Sequence, residues 1–432
     1  MSLKLHFLNH SFLRVIAEKD VEHELSDFLT FDAPGMEHMP AYRSGHWDGK
    51  VRLYQMRYHT TYTGLALRIR RWAAERGYPC EVDPRLSMCE TLVPRDIDMT
   101  GLPTLMSLRP YQYDAAQHAI AHRRCVLVFP TGSGKSLITY AILRELATDG
   151  KALIVVPTIA LVKQMAKMLV TYGYGGVVKT ITAGASKDVA LADIVISTWQ
   201  SIYQQPDKWF TQFGTVIGDE AHTFRGKCLS ELMGKCITVS NRIALTGTLD
   251  GTPVNEWLIE GLFGPVYTTT DTATLIEEGT LATVHIEQII LRHPKGQLPF
   301  NAEYRDELNY LVAYKPRNTF IKNLALSLKG VTLALFTLVD THARMIFEDL
   351  ELLGTAGRRV VFIHGGTPAD DREEVRRLCR EASPAILLEF DGVVCRCAEM
   401  DEVPLSDGTL KFAKDITLND DINSNWIINK KM

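Results

Sequence analysis

Residues 125–136 read CVLVFPTGSGKS, an apolar run followed by a glycine-containing turn. We predict a buried strand over CVLVF, a loop over residues 129–136 and a helix from Ser136 to Thr148. Four similar apolar runs follow, ALIVV at 152–156, DIVIS at 193–197, TVIGD at 215–219 and RIALT at 242–246. Runs this apolar, separated by helical segments, predict an α/β fold with a parallel sheet covered by helices on both faces.

The turn after the first run has the composition of a phosphate-binding loop. Backbone N–H groups in a loop that leads into a helix N-terminus bind anions. We expect Lys135 to reach the β and γ phosphates of ATP, and Ser136 to place its hydroxyl on Mg²⁺. The other predicted ATP-binding residues of the loop are Pro130, Thr131, Gly132, Ser133 and Gly134. Phe129 stands where such loops usually have their first glycine, and a tight turn that binds nothing is the structural alternative.

Residues 216–222, VIGDEAH, are an apolar run that ends in two acids. We expect Asp219, at the end of a strand, to hold Mg²⁺ and Glu220 to polarise the attacking water. His222 completes a predicted catalytic group with Lys135, Asp219 and Glu220. Two acids after a strand often form only an exposed turn. These two acids follow a phosphate loop at a distance of about one βαβαβ unit, which favours the catalytic interpretation.

Composition limits the possible classes of protein. The chain has 432 residues, of which 46% are hydrophobic and 23% charged, which is typical of a globular protein with two or three domains. Its net charge is -4, so a nucleic-acid site must be a local patch. We expect neither a membrane span nor a signal peptide. The eight scattered cysteines predict reduced thiols.

Residues 40–76 provide such a patch. They contain eight basic residues against two acids, Asp48 and Glu75, with aromatic residues in between. Cations contact phosphates and aromatic faces stack on bases, so this stretch predicts DNA binding. The candidate DNA-binding residues here are Arg43, Trp47, Lys50 and Arg52. The alternative is a solvated basic face with aromatic core residues, which we favour for Trp72.

In order and spacing, these motifs resemble those of superfamily-two helicases, and further segments fit. RPYQ at 109–112 resembles the adenine-contacting segment, and TGT at 246–248 resembles motif III, which couples hydrolysis to strand movement. The resemblance implies the following site residues: Arg109, Tyr111 and Gln112 for ATP; Pro157, Thr158, Gly184, Thr198 and Trp199 for DNA; and Thr246, Gly247 and Thr248 for coupling.

Two N-terminal stretches carry a closer resemblance, HELSDFLTFDAPG at 23–35 and YRSGHWDGKVRLY at 42–54. They are similar to the UvsW helicases of T-even bacteriophages, and the likeness extends over about residues 1–394. It implies an ATP-dependent DNA helicase that acts on branched recombination and fork intermediates by branch migration and fork regression. Its partner would be branched, single-stranded or duplex DNA, and its place of action the cytoplasm of a bacterial host.

We therefore expect four parts. Residues 1–98 are predicted as a small α+β DNA-recognition domain, 109–291 as a RecA-like ATP-binding domain, 316–394 as part of a second RecA-like domain and 395–432 as a tail unlike a helicase. The predicted N-terminal elements are strands at Leu3–Phe7, Phe12–Ile16 and Val51–Tyr54 and helices at Val21–Leu29 and Leu65–Arg76. The predicted strands of the second RecA-like part are Thr332–Thr337, Arg359–Ile363 and Ala385–Leu388.

The helicase pattern breaks near the end of the sequence. Motif VI, a Gln-x-x-Gly-Arg-x-x-Arg pattern, does not occur, and the resemblance stops at Cys395. The tail resembles the N-terminal piece of a split intein, in which Cys395 would be the splicing nucleophile and a second polypeptide would carry the missing helicase half. The alternative for the tail is that the chain is a frameshifted or truncated helicase. The alternatives for the function of the chain are a restriction-type DNA translocase and a DNA-binding module with an inactive motor.

Overall fold

The computed structural model describes residues 2–87, 107–147, 150–223, 227–249, 251–284, 286–294, 302–353 and 358–368. It also describes 97, 296, 298, 371–372, 374–375, 377, 385–390, 402–404 and 410–412. The chain divides into two compact units, Met1–Thr283 and Val284–Met432. No helix among these residues is long and apolar enough to cross a lipid bilayer.

The first unit begins with a small mixed sheet. Its strands are β1 (Leu3–Phe7), β2 (Phe12–Ala17), β5 (Tyr54–Gln55), β6 (Thr60–Tyr62) and β7 (Cys80–Val82), in the order β5-β6-β2-β1-β7. Two further strands, β3 (Thr30–Asp32) and β4 (Lys50–Arg52), form a separate antiparallel pair. The helices are α1 (Lys19–Phe28), α2 (Pro40–Arg43), α3 (Ala66–Glu75) and α4 (Pro84–Ser87).

Alternation of apolar and polar residues forms this small core. Leu13 and Val15 of β2 point inward and are buried, while Arg14 and Ile16, which alternate with them, are exposed. The amphipathic helix α3 adds Trp72, which is 1% exposed, so its predicted core position is confirmed. The single strand predicted over Val51–Tyr54 is wrong: the chain leaves the β3–β4 pair at Leu53 and joins β6 in the larger sheet.

A seven-stranded sheet forms the centre of the first unit. Its strands are β8 (Arg124–Val128), β9 (Lys151–Val156), β10 (Val178–Ile181), β11 (Ile194–Thr198), β12 (Phe213–Asp219), β13 (Asn241–Thr246) and β14 (Val266–Tyr267). Their order is β10-β11-β9-β12-β13-β8-β14, and every neighbouring pair is parallel. The predicted α/β class and the five predicted strands are therefore confirmed.

Helices cover both faces of this sheet. They are α5 (Pro110–His122), α6 (Lys135–Leu146), α7 (Ile159–Thr171), α8 (Trp199–Ile202), α9 (Asp207–Phe210), α10 (Lys227–Lys235), α11 (Pro253–Phe263) and α12 (Thr272–Glu277). Successive strand residues point to opposite faces, so Leu127 and Ile154 belong to one core, while Val126 and Val155 belong to the other. Burial on both faces explains why the strands are apolar throughout rather than alternating.

The second unit contains a smaller parallel sheet in the order β15-β17-β16. Its strands are β15 (Val331–Phe336), β16 (Arg359–Ile363) and β17 (Ala385–Phe390), which confirms the three predicted runs. The helices are α13 (Tyr304–Ala313), α14 (Lys315–Ser327) and α15 (Arg344–Leu353). A short antiparallel pair, β18 (Glu402–Pro404) and β19 (Leu410–Phe412), lies in the tail.

Candidate nucleotide and nucleic-acid site

The predicted site residues of the first unit follow the carboxyl ends of its strands. The phosphate loop follows β8, the acids end β12, and Thr246 ends β13, and these three strands are neighbours. Pro157, Gly184 and Thr198 lie at or after the ends of β9, β10 and β11, which are also neighbours. Carboxyl ends of parallel strands meet at one edge of a sheet, which is where ligands bind in open α/β folds. The nucleotide candidates thus occupy one half of this edge and the DNA candidates the other.

Two glycines give the phosphate loop its shape. Gly132 has φ 86° and Gly134 has φ 83°, a conformation that L side chains rarely adopt. Gly134 is the N-cap residue of α6, so Lys135 and Ser136 begin the helix. A Cβ at Gly134 would lie 2.4 Å from the Nε2 atom of Gln112. The loop thus needs glycine there both for its backbone angle and for the approach of a neighbouring side chain.

Helix α5 supports the loop from one side. The Tyr111 hydroxyl and the Gln112 Nε2 atom each donate to the Ser133 carbonyl at 2.7 Å. Gln112 Oε1 accepts from the Arg109 N–H at 2.9 Å, and Gln112 is only 4% exposed. The structure therefore brings all three RPYQ candidates to the phosphate loop, where Gln112 uses both ends of its amide within the protein. In this arrangement Gln112 positions the loop.

The loop has polar groups available for an anion. The Ser133 hydroxyl is buried and has no hydrogen-bond partner among the described residues. A buried, unsatisfied hydroxyl is unfavourable unless a ligand or water completes it. Lys135 Nζ donates to the Phe129 carbonyl at 3.2 Å, and its side chain is 11% exposed. A nearly buried ammonium beside free backbone N–H groups at a helix start suits a phosphate.

The two acids lie directly opposite this lysine. Lys135 Nζ is 3.9 Å from Glu220 Oε1. Burial and the charge of Glu220 raise the pKa of Asp219 to about 6, although Lys135 acts in the opposite direction. Glu220 itself has φ 55°, a strained conformation for a residue with a side chain and one that is common at functional sites. A buried carboxylate next to a second one favours a bound cation, so this donor set fits Mg²⁺.

His222 connects the acids to the end of β13. Its Nδ1 atom lies 3.4 Å from Glu220 Oε2 and 2.8 Å from Thr246 Oγ1. Thr246 Oγ1 in turn donates to the Thr248 carbonyl at 2.8 Å, so it can only accept from the histidine. A Cβ at Gly247 would lie 3.3 Å from Lys135 Nζ, so the TGT segment also borders the phosphate loop. The predicted catalytic and coupling residues are thus in contact.

The DNA candidates at the other half of the edge differ in exposure. Thr158 is exposed and caps α7, where its Oγ1 accepts from the Leu161 N–H at 3.3 Å. Gly184 is exposed with φ 77°. Thr198 is buried and its hydroxyl is 2.8 Å from that of Ser201, so it is positioned to shape the backbone rather than to contact a ligand. Pro157 and Trp199 are half-buried.

The N-terminal DNA candidates lie on and around β4. Lys50 Nζ pairs with Asp32 at 3.1 Å and Arg52 pairs with Asp48, so both cations have acidic partners. Arg43 Nε donates to the Glu37 carbonyl at 2.8 Å. Trp47 is half-buried and its Nε1 donates to the Lys50 carbonyl at 3.1 Å. The structure brings these residues together, but two of the three cations are locally neutralised by ion pairs.

Sequence reasoning missed the contacts that fix the small mixed sheet to the seven-stranded sheet. Arg242 of β13 is fully buried, and its Nη2 donates to the Ser11 hydroxyl at 2.7 Å. Arg124 Nη1 donates to the His10 carbonyl at 2.7 Å. Arg68 pairs with Glu260 across the same junction. The sequence does contain a signal for these contacts, an arginine at the start of each of the two apolar runs that form β8 and β13. A buried charge needs hydrogen-bond or ion-pair partners, so such an arginine predicts polar contacts in the core.

The predicted splicing nucleophile, Cys395, lies outside the residues that the structure describes.

Two families match separate parts of the chain. Residues 2–83 match the family described as DNA helicase UvsW, N-terminal, and residues 105–251 match the family described as type III restriction enzyme, res subunit. The first match covers the small mixed sheet. The second covers the phosphate loop, the two acids and the TGT segment.

Relatives match over most of the chain. The ATP-dependent DNA helicase uvsW of Enterobacteria phage T4 is 31% identical over 416 residues, which are 91% of this chain and 81% of that protein. A crystal structure of T4 UvsW is 29% identical and covers 92% of this chain and 82% of its own, with a TM-score of 0.58. A second UvsW crystal structure from bacteriophage T4 is 33% identical over 62% of this chain and 100% of its own, with a TM-score of 0.56. These structures confirm the predicted RecA-like class, and the chain belongs to the UvsW family of ATP-dependent DNA helicases.

Proposed function

We propose that the chain is an ATP-dependent DNA helicase that processes branched DNA in recombination, repair and fork regression. One observation supports this most directly. Lys135, Glu220, His222 and Thr246 form a continuous series of contacts at 3.9, 3.4 and 2.8 Å. This series runs from the position of the ATP phosphates to the end of β13. A change at the nucleotide can therefore reach the predicted coupling residues of the TGT segment.

The phosphate loop holds ATP in this proposal. Lys135 and the N–H groups of the loop bind the phosphates, and the buried Ser133 hydroxyl gains a partner there. Arg109 and Tyr111 border the adenine side, while Gln112 fixes the Ser133 carbonyl and with it the shape of the loop. Glu220 orients the attacking water. Its Oε1 atom lies 3.9 Å from Lys135 Nζ, which places the carboxylate beside the expected position of the reacting phosphate.

Ser136 and Asp219 would hold Mg²⁺, which would neutralise charge on the phosphates. Asp219 fits this role because it ends β12 and is largely buried. A buried carboxylate without a cation is unfavourable, and the raised pKa of Asp219 expresses that cost. The burial and the carboxylate chemistry of Asp219 therefore suit Mg²⁺, whatever the related proteins bind.

DNA would bind at two surfaces of the first unit. The exposed ends of β9 and β10, at Thr158 and Gly184, are available to a nucleic-acid backbone, and Thr198 and Trp199 shape the neighbouring loop. The second surface is the α2–β4 region of the small mixed sheet. We propose that residues 1–98 are a DNA-recognition domain and that 109–291 are the ATP-binding motor domain. The place of action would be the cytoplasm of a bacterial host.

A second polypeptide would complete the motor. Superfamily-two motors take arginines for the transition state from motif VI, and such an arginine can be worth about 10³–10⁵ in rate in related NTPases. The Gln-x-x-Gly-Arg-x-x-Arg pattern does not occur in this sequence. We propose that residues 316–394 are part of a second RecA-like domain whose remaining portion is carried by another chain.

Splicing would join the two chains. In this proposal the Cys395 thiol attacks the carbonyl carbon of Val394, so that the Val394–Cys395 amide becomes a thioester and the amino group of Cys395 is freed. The antiparallel pairing of β18 with β19 supports a tail that has regular structure of its own. Mixing the chain with the missing piece would give a covalently joined product, and Cys395→Ala would prevent it.

A restriction-type DNA translocase is the second candidate, and the family match over residues 105–251 favours it. The two functions differ in what happens to the DNA strands. A translocase displaces a third strand from a triplex while leaving the duplex paired, whereas a helicase separates the strands of a fork. The N-terminal family match over residues 2–83 favours the helicase.

ATP hydrolysis with and without a four-way DNA junction tests the proposal, with Lys135→Ala as the inactive variant. Lys208→Ala is a matched control, because Lys208 is an exposed lysine of α9 remote from the site. We expect slow, junction-dependent hydrolysis, because the arginines that the second polypeptide would supply are missing. Lys135→Ala should abolish this hydrolysis and Lys208→Ala should leave it unchanged. Hydrolysis that is insensitive to DNA in every variant would contradict a helicase.

A further inference from the structure

The turn between β5 and β6 presents an aromatic ring to solvent. Residues Met56 to His59 connect the two strands, and Tyr58 at the tip is 57% exposed. The guanidinium of Arg57 lies 5.5 Å from the centre of the Tyr58 ring. The Tyr58 ring is therefore accessible to a ligand from solvent.

A groove of about 450 Å³ adjoins this tip. Its walls include Arg14 and Ile16 of β2 together with Arg57, Tyr58 and His59, and Glu22 lies at its base. Ile16 is 53% exposed, and Arg14 and Arg57 are both exposed. Neither arginine has an ion-pair partner among the residues that the structure describes. The groove therefore combines an aromatic face, an apolar side chain and two exposed arginines, with the buried Glu22 carboxylate at its base.

The tip is held in a strained conformation. His59 has φ 53°, which is uncommon for a residue with a side chain. Its Nδ1 atom contacts the Glu22 carboxylate, which also accepts from the Tyr54 hydroxyl and is 6% exposed. The His59 carbonyl accepts from the Val15 N–H at 2.8 Å. The buried Glu22 carboxylate thus holds His59 in its strained backbone conformation. Backbone strain that the surrounding structure maintains is typical of ligand-binding segments.

We propose that this hairpin groove binds an unpaired stretch of nucleic acid, with one base stacked on Tyr58 and the flanking phosphates bound by Arg57 and Arg14. An aromatic face in one groove with two cations matches the alternation of base and phosphate along a single strand. The groove differs from the α2–β4 surface, where Lys50 and Arg52 are each paired with an acid. This inference rests on the proposed function and adds to it a site for the single-stranded arm of a branch.

Fluorescence anisotropy with the full chain tests this site. The two probes are a fork with a single-stranded arm and a blunt duplex of equal length. Tyr58→Ala is expected to weaken fork binding by about tenfold, since stacking of one base on an aromatic side chain is worth that much, and to change duplex binding less than twofold. Tyr58→Phe keeps the ring and should bind the fork as the original chain does. Arg57→Ala should lower the salt dependence of fork binding by about one phosphate contact.

Two control variants separate this site from general surface effects. Tyr304→Ala removes another exposed tyrosine, which is 62% exposed in the second unit. Lys329→Ala removes an exposed cation that precedes β15. Both should bind the fork normally. If Tyr58→Ala binds both probes as tightly as the original chain, or loses both equally, the inference is wrong while the helicase proposal stands. If the original chain binds neither probe, both fail.

Discussion

The Nδ1 atom of His222 and the Oγ1 atom of Thr246 lie 2.8 Å apart, and this contact joins the two acids of β12 to the end of β13. Because Thr246 Oγ1 donates its only proton to the Thr248 carbonyl, the histidine must donate through Nδ1. The contact therefore fixes the histidine tautomer. Because His222 also lies close to Glu220, we expect a movement of the acids to shift the TGT segment as well.

Replacing this hydroxyl should uncouple ATP from DNA. Thr246→Val has nearly the same shape but cannot accept from His222, so we expect DNA stimulation of ATP hydrolysis to fall at least fivefold, equivalent to about one hydrogen bond. Hydrolysis without DNA should change less. The measurement is the ratio of rates with and without junction DNA. Thr180→Val is the matched control on exposed β10, and an unchanged ratio in Thr246→Val would exclude the coupling role.

Gly134→Ala should disable nucleotide binding. The new Cβ would lie 2.4 Å from Gln112 Nε2 and would require φ 83°, so the loop or the glutamine must move. We expect ATP affinity to fall by more than about tenfold, because strain of 1–3 kcal/mol is introduced at the binding loop. Titration with a fluorescent ATP analogue measures this. Gly175→Ala, where a Cβ would meet nothing within 4 Å, should bind normally.

Arg242→Met should destabilise the first unit. Arg242 is fully buried and donates to Ser11 and to the carbonyls of Val239 and Leu262, so its loss leaves several acceptors unsatisfied. We expect the free energy of unfolding to decrease by about 3 kcal/mol. Urea denaturation measures the difference. Arg71→Met, at an exposed position of α3, should change stability by less than about 0.5 kcal/mol.

Acid should destabilise the contact between the small mixed sheet and the seven-stranded sheet, because His10 lies there beside Arg124 and Arg242. Burial, together with the charges of Arg124 and Arg242, lowers the pKa of His10 from 6.5 to about 4. Between these two pH values the unfolded chain binds a proton that the folded chain does not. The free energy of unfolding should therefore fall as pH drops from about 6.5 to 4, by at most about 1.4 kcal/mol per pH unit for this group.

Urea denaturation at pH 7 and pH 5 measures the acid effect. His118 and His342 also have pKa values lowered to about 4 by burial, so they add to the total. The variant His10→Asn isolates one contribution, since it cannot take up the proton in either state. Its loss of stability between the two pH values should be smaller than that of the original chain. An equal loss would show that His10 does not titrate in this way.

The sequence predicted the strands well because a sheet buried on both faces leaves an unmistakable apolar run. It predicted the meeting of Lys135, Asp219 and Glu220 because parallel strands bring their carboxyl ends to one edge. The break at Leu53 was not predictable, since it depends on which strand pairs with which. The role of Gln112 in holding the Ser133 carbonyl and the burial of Arg242 also depend on tertiary contacts. The pairing of Lys50 with Asp32 likewise depends on the contact between β3 and β4, which the composition of residues 40–76 does not show.

The most direct test of the helicase proposal is single-turnover ATP hydrolysis, with the chain in excess over ATP so that slow turnover is still measured. Rates are compared with and without a four-way DNA junction, for the original chain and for Lys135→Ala. We predict slow hydrolysis that the junction accelerates and that Lys135→Ala abolishes. A rate that is the same with and without DNA, or the same in Lys135→Ala, would contradict it.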